Sequence, residues 1–134
     1  LTYPAYNEHN ALRGIPMADT VLVVQDNQTI QKEIATLLQQ HSYEVLLASD
    51  GEEGWTVFNA HQTPHSVITA VRMPNLDGIS LLRRIKTKSP DVKVVLVAGT
   101  PNPDAEAEAT ALGALGILTW PLADVEALLR LLAT

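Results

Sequence analysis

The chain has 134 residues, of which 46% are hydrophobic and 18% charged, a globular profile that excludes a disordered chain. The net charge of −6 argues against direct binding to nucleic acid or to an anionic membrane surface. The absence of cysteine excludes a disulfide framework and thiolate metal sites, and no apolar run is long enough to span a bilayer.

The first sixteen residues show neither helical nor strand periodicity, and they include Tyr3 and Tyr6. They lack the basic start and apolar stretch of a signal peptide. We therefore expect residues 1–16 to be a linker or a tail left by cloning, and residues 17–134 to form the folded domain. Docking of the segment on the domain through the two tyrosines is the alternative.

From Asp19 onward, strand and helix patterns alternate. Short apolar runs, rich in β-branched residues, predict buried strands at residues 21–24, 43–48, 67–71, 92–98 and 116–120. Apolar residues at helical spacing, or a helix-start signal, predict a helix after each strand, at residues 30–38, after 50–51, at 79–85, from 102–103 and at 122–132.

Five strands that alternate with five helices predict a parallel sheet covered on both faces, with right-handed crossovers. We therefore expect a doubly wound α/β fold, (βα)5, with the flavodoxin-like strand order 2-1-3-4-5. In this arrangement the functional crevice lies at the carboxyl ends of strands one and three. Asp26 and Ala70 fall at those two ends.

Four motifs in register resemble those of bacterial response-regulator receiver domains. Residues 23–27 resemble the acidic loop after strand one, and residues 48–53 resemble the entry to helix two. The segment Arg72-Met73-Pro74-Asn75-Leu76-Asp77-Gly78 is the most specific match. Residues 113–121 resemble the fifth strand with its following proline. The resemblance covers essentially the whole folded part of the chain.

The resemblance implies a phosphoacceptor aspartate after strand three, flanked by the groups that serve its chemistry. Those groups are two acids that bind magnesium, a hydroxyl residue after strand four, a lysine after strand five and a mobile aromatic on strand five. The matching positions here hold, in that order, Ala70, Gln25 with Asp26, Ala98, Trp120 and Ile117. Only Asp26 keeps the residue type of the family.

A methyl group at Ala70 cannot accept a phosphoryl group, so we expect a degenerate pseudo-receiver that is not an enzyme. We expect no cofactor and weak or absent Mg²⁺ binding, because Asp26 alone is a poor site for an ion that keeps its waters. The resemblance implies a cytoplasmic module that binds a protein partner, or dimerises, through helix four, strand five and helix five. An attached output or kinase domain is a further expectation.

Two other functions remain open at this point. The chain could be phosphorylated on a non-standard residue, Asp26 or Asp77, although Asp77 fits an ordinary helix start and Asp26 a helix cap. It could instead be a flavodoxin-like cofactor-binding protein. The segment 25–29 contains no glycine and includes an acid, which disfavours a phosphate cradle.

Trp120 suggests a structural consequence of the lost chemistry. We expect its indole to cover or fill the space left by Ala70 and Ala98, with Asp26 as an acceptor for the indole N–H. We also expect the Trp120–Pro121 peptide bond to be cis, which proline makes accessible and the resemblance implies.

We expect the remaining histidines and charged residues to lie on the surface. We interpret the histidines as surface or helix-capping residues and the basic run of helix three as a solvated face. The Ala-rich helix four carries acids that spread around it. The histidines are His41, His61 and His65, and the basic run of helix three is Arg83, Arg84, Lys86 and Lys88. The acids of helix four are Asp104, Glu106 and Glu108.

Overall fold

A computed structural model describes residues 19–60 and 64–134 of the chain. Residues 1–16, expected to be a linker or cloning tail, lie outside the described residues, and so does His61. The strands are β1 (Thr20–Val24), β2 (Glu44–Ala48), β3 (Ser66–Ala70), β4 (Lys93–Ala98) and β5 (Gly116–Thr119). The helices are α1 (Gln28–Gln40), α2 (Gly51–Ala60), α3 (Gly78–Lys88), α4 (Pro103–Ala111) and α5 (Val125–Ala133).

All five strands pair in parallel, in the order β2-β1-β3-β4-β5. The predicted fold class, strand order and element sequence are therefore confirmed. The predicted strand bounds differ from the observed ones by one residue at one end, and by one residue at both ends for β3. The register places Ala70 beside Val97 and Ala98 beside Thr119, so the ends of β3, β4 and β5 meet at one edge of the sheet.

The core has two halves, one on each face of the sheet. Side chains alternate along each strand, so Leu22 and Val24 of β1 face one half while Val21 and Val23 face the other. Helices α2, α3 and α4 cover the first half, and α1 and α5 cover the second. Because the inner strands are buried on both faces, they read as continuous apolar runs.

Helix starts are fixed by side chains that accept hydrogen bonds from first-turn backbone N–H groups. In α1 the cap is Asn27, whose Oδ1 lies 3.0 Å from the backbone nitrogen of Ile30. Asp77, Asn102 and Asp124 cap α3, α4 and α5 in the same way. The helix-start interpretation of Asp77 is thus confirmed, whereas the cap of α1 is Asn27 and not Asp26.

The C-terminus of α1 also has a side-chain partner. His41 is the C-cap residue, and its Nδ1 lies 3.0 Å from the carbonyl oxygen of Leu37. The capping role expected for this histidine is therefore confirmed. Within the described ranges, no helix has the length and apolar character needed to cross a membrane.

Candidate functional site

A cleft of about 620 Å³ opens at the carboxyl-terminal edge of the sheet, beyond the ends of β1, β3, β4 and β5. This is the edge at which a doubly wound sheet places its functional crevice. The cleft is lined by Gln25, Ile30, Ala70, Val71, Arg72, Val97, Ala98, Gly99, Thr100, Pro101, Asn102 and Trp120.

The structure brings four of the five predicted pocket residues together in this cleft: Gln25, Ala70, Ala98 and Trp120. The two alanines are 6% and 8% exposed and form an apolar floor. Asp26, the fifth, does not line the cleft. Ile117, at the position of the mobile aromatic, is half-buried in β5 and packs against the core half under α2, α3 and α4.

The Trp120 indole is expected to cover or fill the space beside Ala70 and Ala98. Trp120 does line the cleft with both alanines, but a volume of about 620 Å³ stays open, so the indole does not fill it. Trp120 directly follows β5, is half-buried and packs in the same core half as Leu118, whereas Ala98 belongs to the opposite half. The Trp120–Pro121 bond is cis.

Asp26 stands apart from the other predicted site residues. Its side chain is exposed, and no hydrogen bond joins its carboxylate to another residue of 19–60 or 64–134. It therefore neither caps α1 nor accepts a hydrogen bond from the Trp120 indole. The neighbouring Asn27 has the capping role because its side chain, one position later, reaches the nitrogen of Ile30.

Gln25, at the position of the family's first acidic residue, is buried, and its side-chain oxygen accepts a hydrogen bond. It is 5% exposed, and its Oε1 accepts a hydrogen bond from the backbone N–H of Asn27 at 3.1 Å. Its backbone carbonyl accepts from the Gln31 amide, which also donates to the carbonyl of Ala48. Gln31 thus fastens α1 to the ends of β1 and β2, a role that sequence reasoning missed although Gln31 is a polar residue beside the apolar stripe of α1.

Magnesium, which the resemblance implies, does not fit the donors that this edge of the sheet presents. Mg²⁺ is held by carboxylates and waters in near-octahedral geometry. No carboxylate lines the cleft, and the Oε1 of Gln25 already accepts a hydrogen bond. In the part of the chain that the structure describes, no three acidic, histidine or cysteine residues cluster where an ion could be held.

Sequence reasoning did not single out three polar groups that line the cleft: Arg72, Thr100 and Asn102. Arg72 and Thr100 are exposed, while Asn102 is half-buried. All three lie in loops that follow the ends of β3 and β4. Their position in the sequence could have predicted this role, because loops after parallel strands line the crevice of this fold.

The loop between β3 and α3 is held tightly against the sheet. Gly78 lies so close to the end of β3 that a Cβ built on it would stand 2.0 Å from the carbonyl oxygen of Ala70. Asn75 has a positive φ of 72°, and its amide donates to the Asp50 carboxylate at 3.0 Å. The backbone N–H of Glu53 and this amide together hold the pKa of Asp50 below its usual value.

Outside the cleft, Arg83, Arg84 and Lys88 of α3 form the expected solvated face, whereas the half-buried Lys86 donates to the backbone carbonyls of Pro90 and Val92. Arg83 lies 3.3 Å from a carboxylate oxygen of Glu108 in α4, and Arg84 lies 3.6 Å from one of Glu52 in α2. Half-exposed ion pairs of this kind contribute little to stability. Arg84 also sits over the Trp55 ring, 5.9 Å from its centroid.

Comparison with known proteins places the chain among signalling domains. Residues 21–132 match the response regulator receiver domain family. Protein RcaC of Microchaete diplosiphon is 30% identical over 84% of this chain and 17% of its own length. The probable transcriptional regulator ycf27 of Cyanophora paradoxa is 31% identical over 79% of this chain and 44% of its own length.

The chain therefore spans less than half of the length of these two relatives. Among solved structures, a response regulator receiver domain protein from Clostridium thermocellum superposes with a TM-score of 0.80. It is 32% identical, and the match covers 86% of this chain and 91% of that one. The sequence match and the fold thus agree with one family.

Proposed function

The chain belongs to the response regulator receiver domain family, whose members are signalling domains of two-component proteins and not enzymes, and we propose that it acts in this family without being phosphorylated. In this proposal the domain is a pseudo-receiver, an interaction module that phosphorylation does not control. This membership replaces the flavodoxin-like cofactor protein as an interpretation of the fold.

The observation that carries the proposal is the Ala70 methyl at the end of β3. Phosphoryl transfer to a protein needs a nucleophilic oxygen or nitrogen. Ala70 offers none, and the nearby Ala98 offers no hydroxyl to bind a phosphoryl oxygen. Trp120, in turn, has no ammonium group to neutralise the phosphoryl charge. The three changes remove acceptor, hydrogen-bond donor and counter-charge from one cleft.

Weak or absent magnesium binding belongs to the same proposal. The ion would have to offset the charge of the incoming phosphoryl group, and that role requires several oxygen ligands at the site. Asp26 is the one acid retained, and it lies outside the cleft wall. An exposed single carboxylate does not displace the waters of this ion.

Phosphorylation on Asp77 or Asp26 is the rival function. The Asp77 Oδ1 accepts a hydrogen bond from the backbone nitrogen of Ser80 at 2.8 Å, so this carboxylate already has a structural role. Asp26 is exposed to solvent, and within residues 19–60 and 64–134 it makes no ion pair with a cation that could orient a phosphodonor. Both positions lack the water-excluded surroundings in which charge stabilisation is effective.

We propose the surface formed by α4, β5 and α5 as the interaction face, for a protein partner or a second copy. Strand β5 is an edge of the sheet, and an unpaired edge favours association. Leu115 and Val125 beside it are 36% and 40% exposed. The lengths of the relatives support an attached output or kinase domain in the whole protein as part of this proposal.

Incubation with acetyl phosphate and Mg²⁺, followed by intact mass measurement, tests the proposal. The natural chain should gain no phosphoryl group. The matched positive control carries Gln25→Asp, Ala70→Asp, Ala98→Thr and Trp120→Lys together, and it should gain one phosphoryl group that depends on Mg²⁺. A stoichiometric adduct on the natural chain that disappears in Asp77→Asn or Asp26→Asn would contradict the proposal and favour the rival.

A further inference from the structure

We infer that the cleft binds a small organic anion with a planar aromatic portion, held without a covalent bond. This inference rests on the proposed function, because it makes a bound anion the input of a domain that phosphate no longer controls. Four features of the cleft carry it: its charge, its unpaired donors, its apolar floor and its size.

The charge of the cleft is opposite in sign to that of the whole chain. Arg72 is its one charged lining residue, and no carboxylate lines it. Within residues 19–60 and 64–134, the Arg72 guanidinium makes no ion pair. A guanidinium presents a planar fork of donors that matches a carboxylate or phosphate. An anion is therefore the ligand that this lining favours.

Gln25 supplies a second, independent signal. The residue is 5% exposed, and its Oε1 already accepts from Asn27, so its amide N–H groups need an acceptor. Among the residues that the structure describes, none accepts from this amide, and no fully shielded side-chain nitrogen lacks a partner. The amide is therefore reached from the cleft that Gln25 lines. This amide has no protein acceptor among the described residues, so an anion in the cleft could accept from it in place of water.

Asn102 is a third lining residue that carries N–H donors. Its Oδ1 accepts a hydrogen bond from the backbone N–H of Ala105 at 3.1 Å, as the cap of α4. The cap holds the Asn102 side chain by its oxygen and leaves its amide nitrogen free to donate. Arg72, Gln25 and Asn102 thus bring side chains with N–H donors to the cleft lining from three different loops.

The apolar part of the cleft indicates the rest of the ligand. The buried Ala70 and Ala98 give the lining two methyl groups, and the half-buried Trp120 lines the cleft beside them. A planar ring stacks favourably on such an indole. The volume of about 620 Å³ lies in the range of small-molecule pockets, and it is large for an inorganic anion alone.

Nuclear magnetic resonance titration tests the inference with an aromatic carboxylate, naphthoate, and its neutral isostere, naphthamide. We expect naphthoate to shift the amide signals of residues 70–72, 98–100 and 102 and the indole N–H signal of Trp120. It should bind at least about tenfold more tightly than naphthamide, the ratio expected from one charged hydrogen bond. Arg72→Gln should abolish that preference. Arg83→Gln, which removes an exposed arginine outside the cleft, should retain it.

Equal affinity for the two probes would overturn the inference, as would an unchanged preference in Arg72→Gln. Shifts centred outside the cleft, or no saturation below about 5 mM naphthoate, would do the same. These failures leave the proposed function intact, since it is tested by the phosphoryl adduct. A phosphoryl adduct on the natural chain would instead overturn the proposed function whether or not naphthoate binds.

Discussion

The glycine that follows the β3 loop shows how a single residue supports the cleft. A Cβ on Gly78 would lie 2.0 Å from the carbonyl oxygen of Ala70, which is backbone and cannot move aside cheaply. We expect Gly78→Ala to lower the free energy of unfolding by about 2–3 kcal/mol, because the loop must shift away from the strand end. Urea unfolding followed by circular dichroism measures this loss.

The matched control is Gly99→Ala, at the end of β4. A Cβ on Gly99 meets no atom within 4 Å, so this change should alter stability by no more than about 0.5 kcal/mol. Equal effects of the two substitutions would contradict the close approach of Gly78 to Ala70.

Some residues of the cleft are predictable from the sequence because they lie at recognisable motif positions, and others are not. Ala70, Ala98 and Trp120 are predictable because they stand at or just after strand ends and interrupt family motifs. Arg72 belongs to the most specific motif, but nothing in that motif shows that an exposed arginine lines the cleft. The sequence also does not show that Trp120 packs in the core half of Leu118 and leaves the cleft open.

At the scale of elements, two neighbouring polar residues at the start of α1 differ in their expected contribution to stability. Asn27→Ala removes the side chain that accepts from the Ile30 N–H, so we expect a loss of about 1 kcal/mol in the free energy of unfolding. Asp26→Ala removes an exposed carboxylate outside this cap, and the expected change stays within about 0.5 kcal/mol. Chemical denaturation of both variants, side by side, gives the comparison.

A larger loss in Asp26→Ala than in Asn27→Ala would contradict the observed cap. The example also shows the limit of sequence reasoning at this scale. Helices and strands were predictable because their apolar spacing is periodic, and Asn102 before Pro103 signalled the start of α4. Adjacent polar residues such as Asp26 and Asn27 satisfy the same capping rule. Only backbone geometry decides between them.

At the scale of the whole molecule, the sequence predicted the fold well because five βα units allow few topologies. The buried inner strands and the crossover rule together select the observed order. The association of the domain with other chains has no comparable pattern. It depends on which side chains stay exposed after folding, and Leu115 and Val125 are identified only in the structure.

Self-association through the proposed interaction face can be tested with this protein alone, without a partner. If a second copy covers the α4–β5–α5 face, Leu115→Arg places an unpaired charge in the contact and should shift the chain from dimer to monomer. Thr36→Arg adds the same charge on the exposed side of α1 and should leave the dimer unchanged. Sedimentation velocity measures both, and acetyl phosphate should not alter either result.

A natural chain that remains monomeric at about 100 μM would contradict self-association through this face. Weakening of the dimer by Thr36→Arg alone would place the contact on α1 instead.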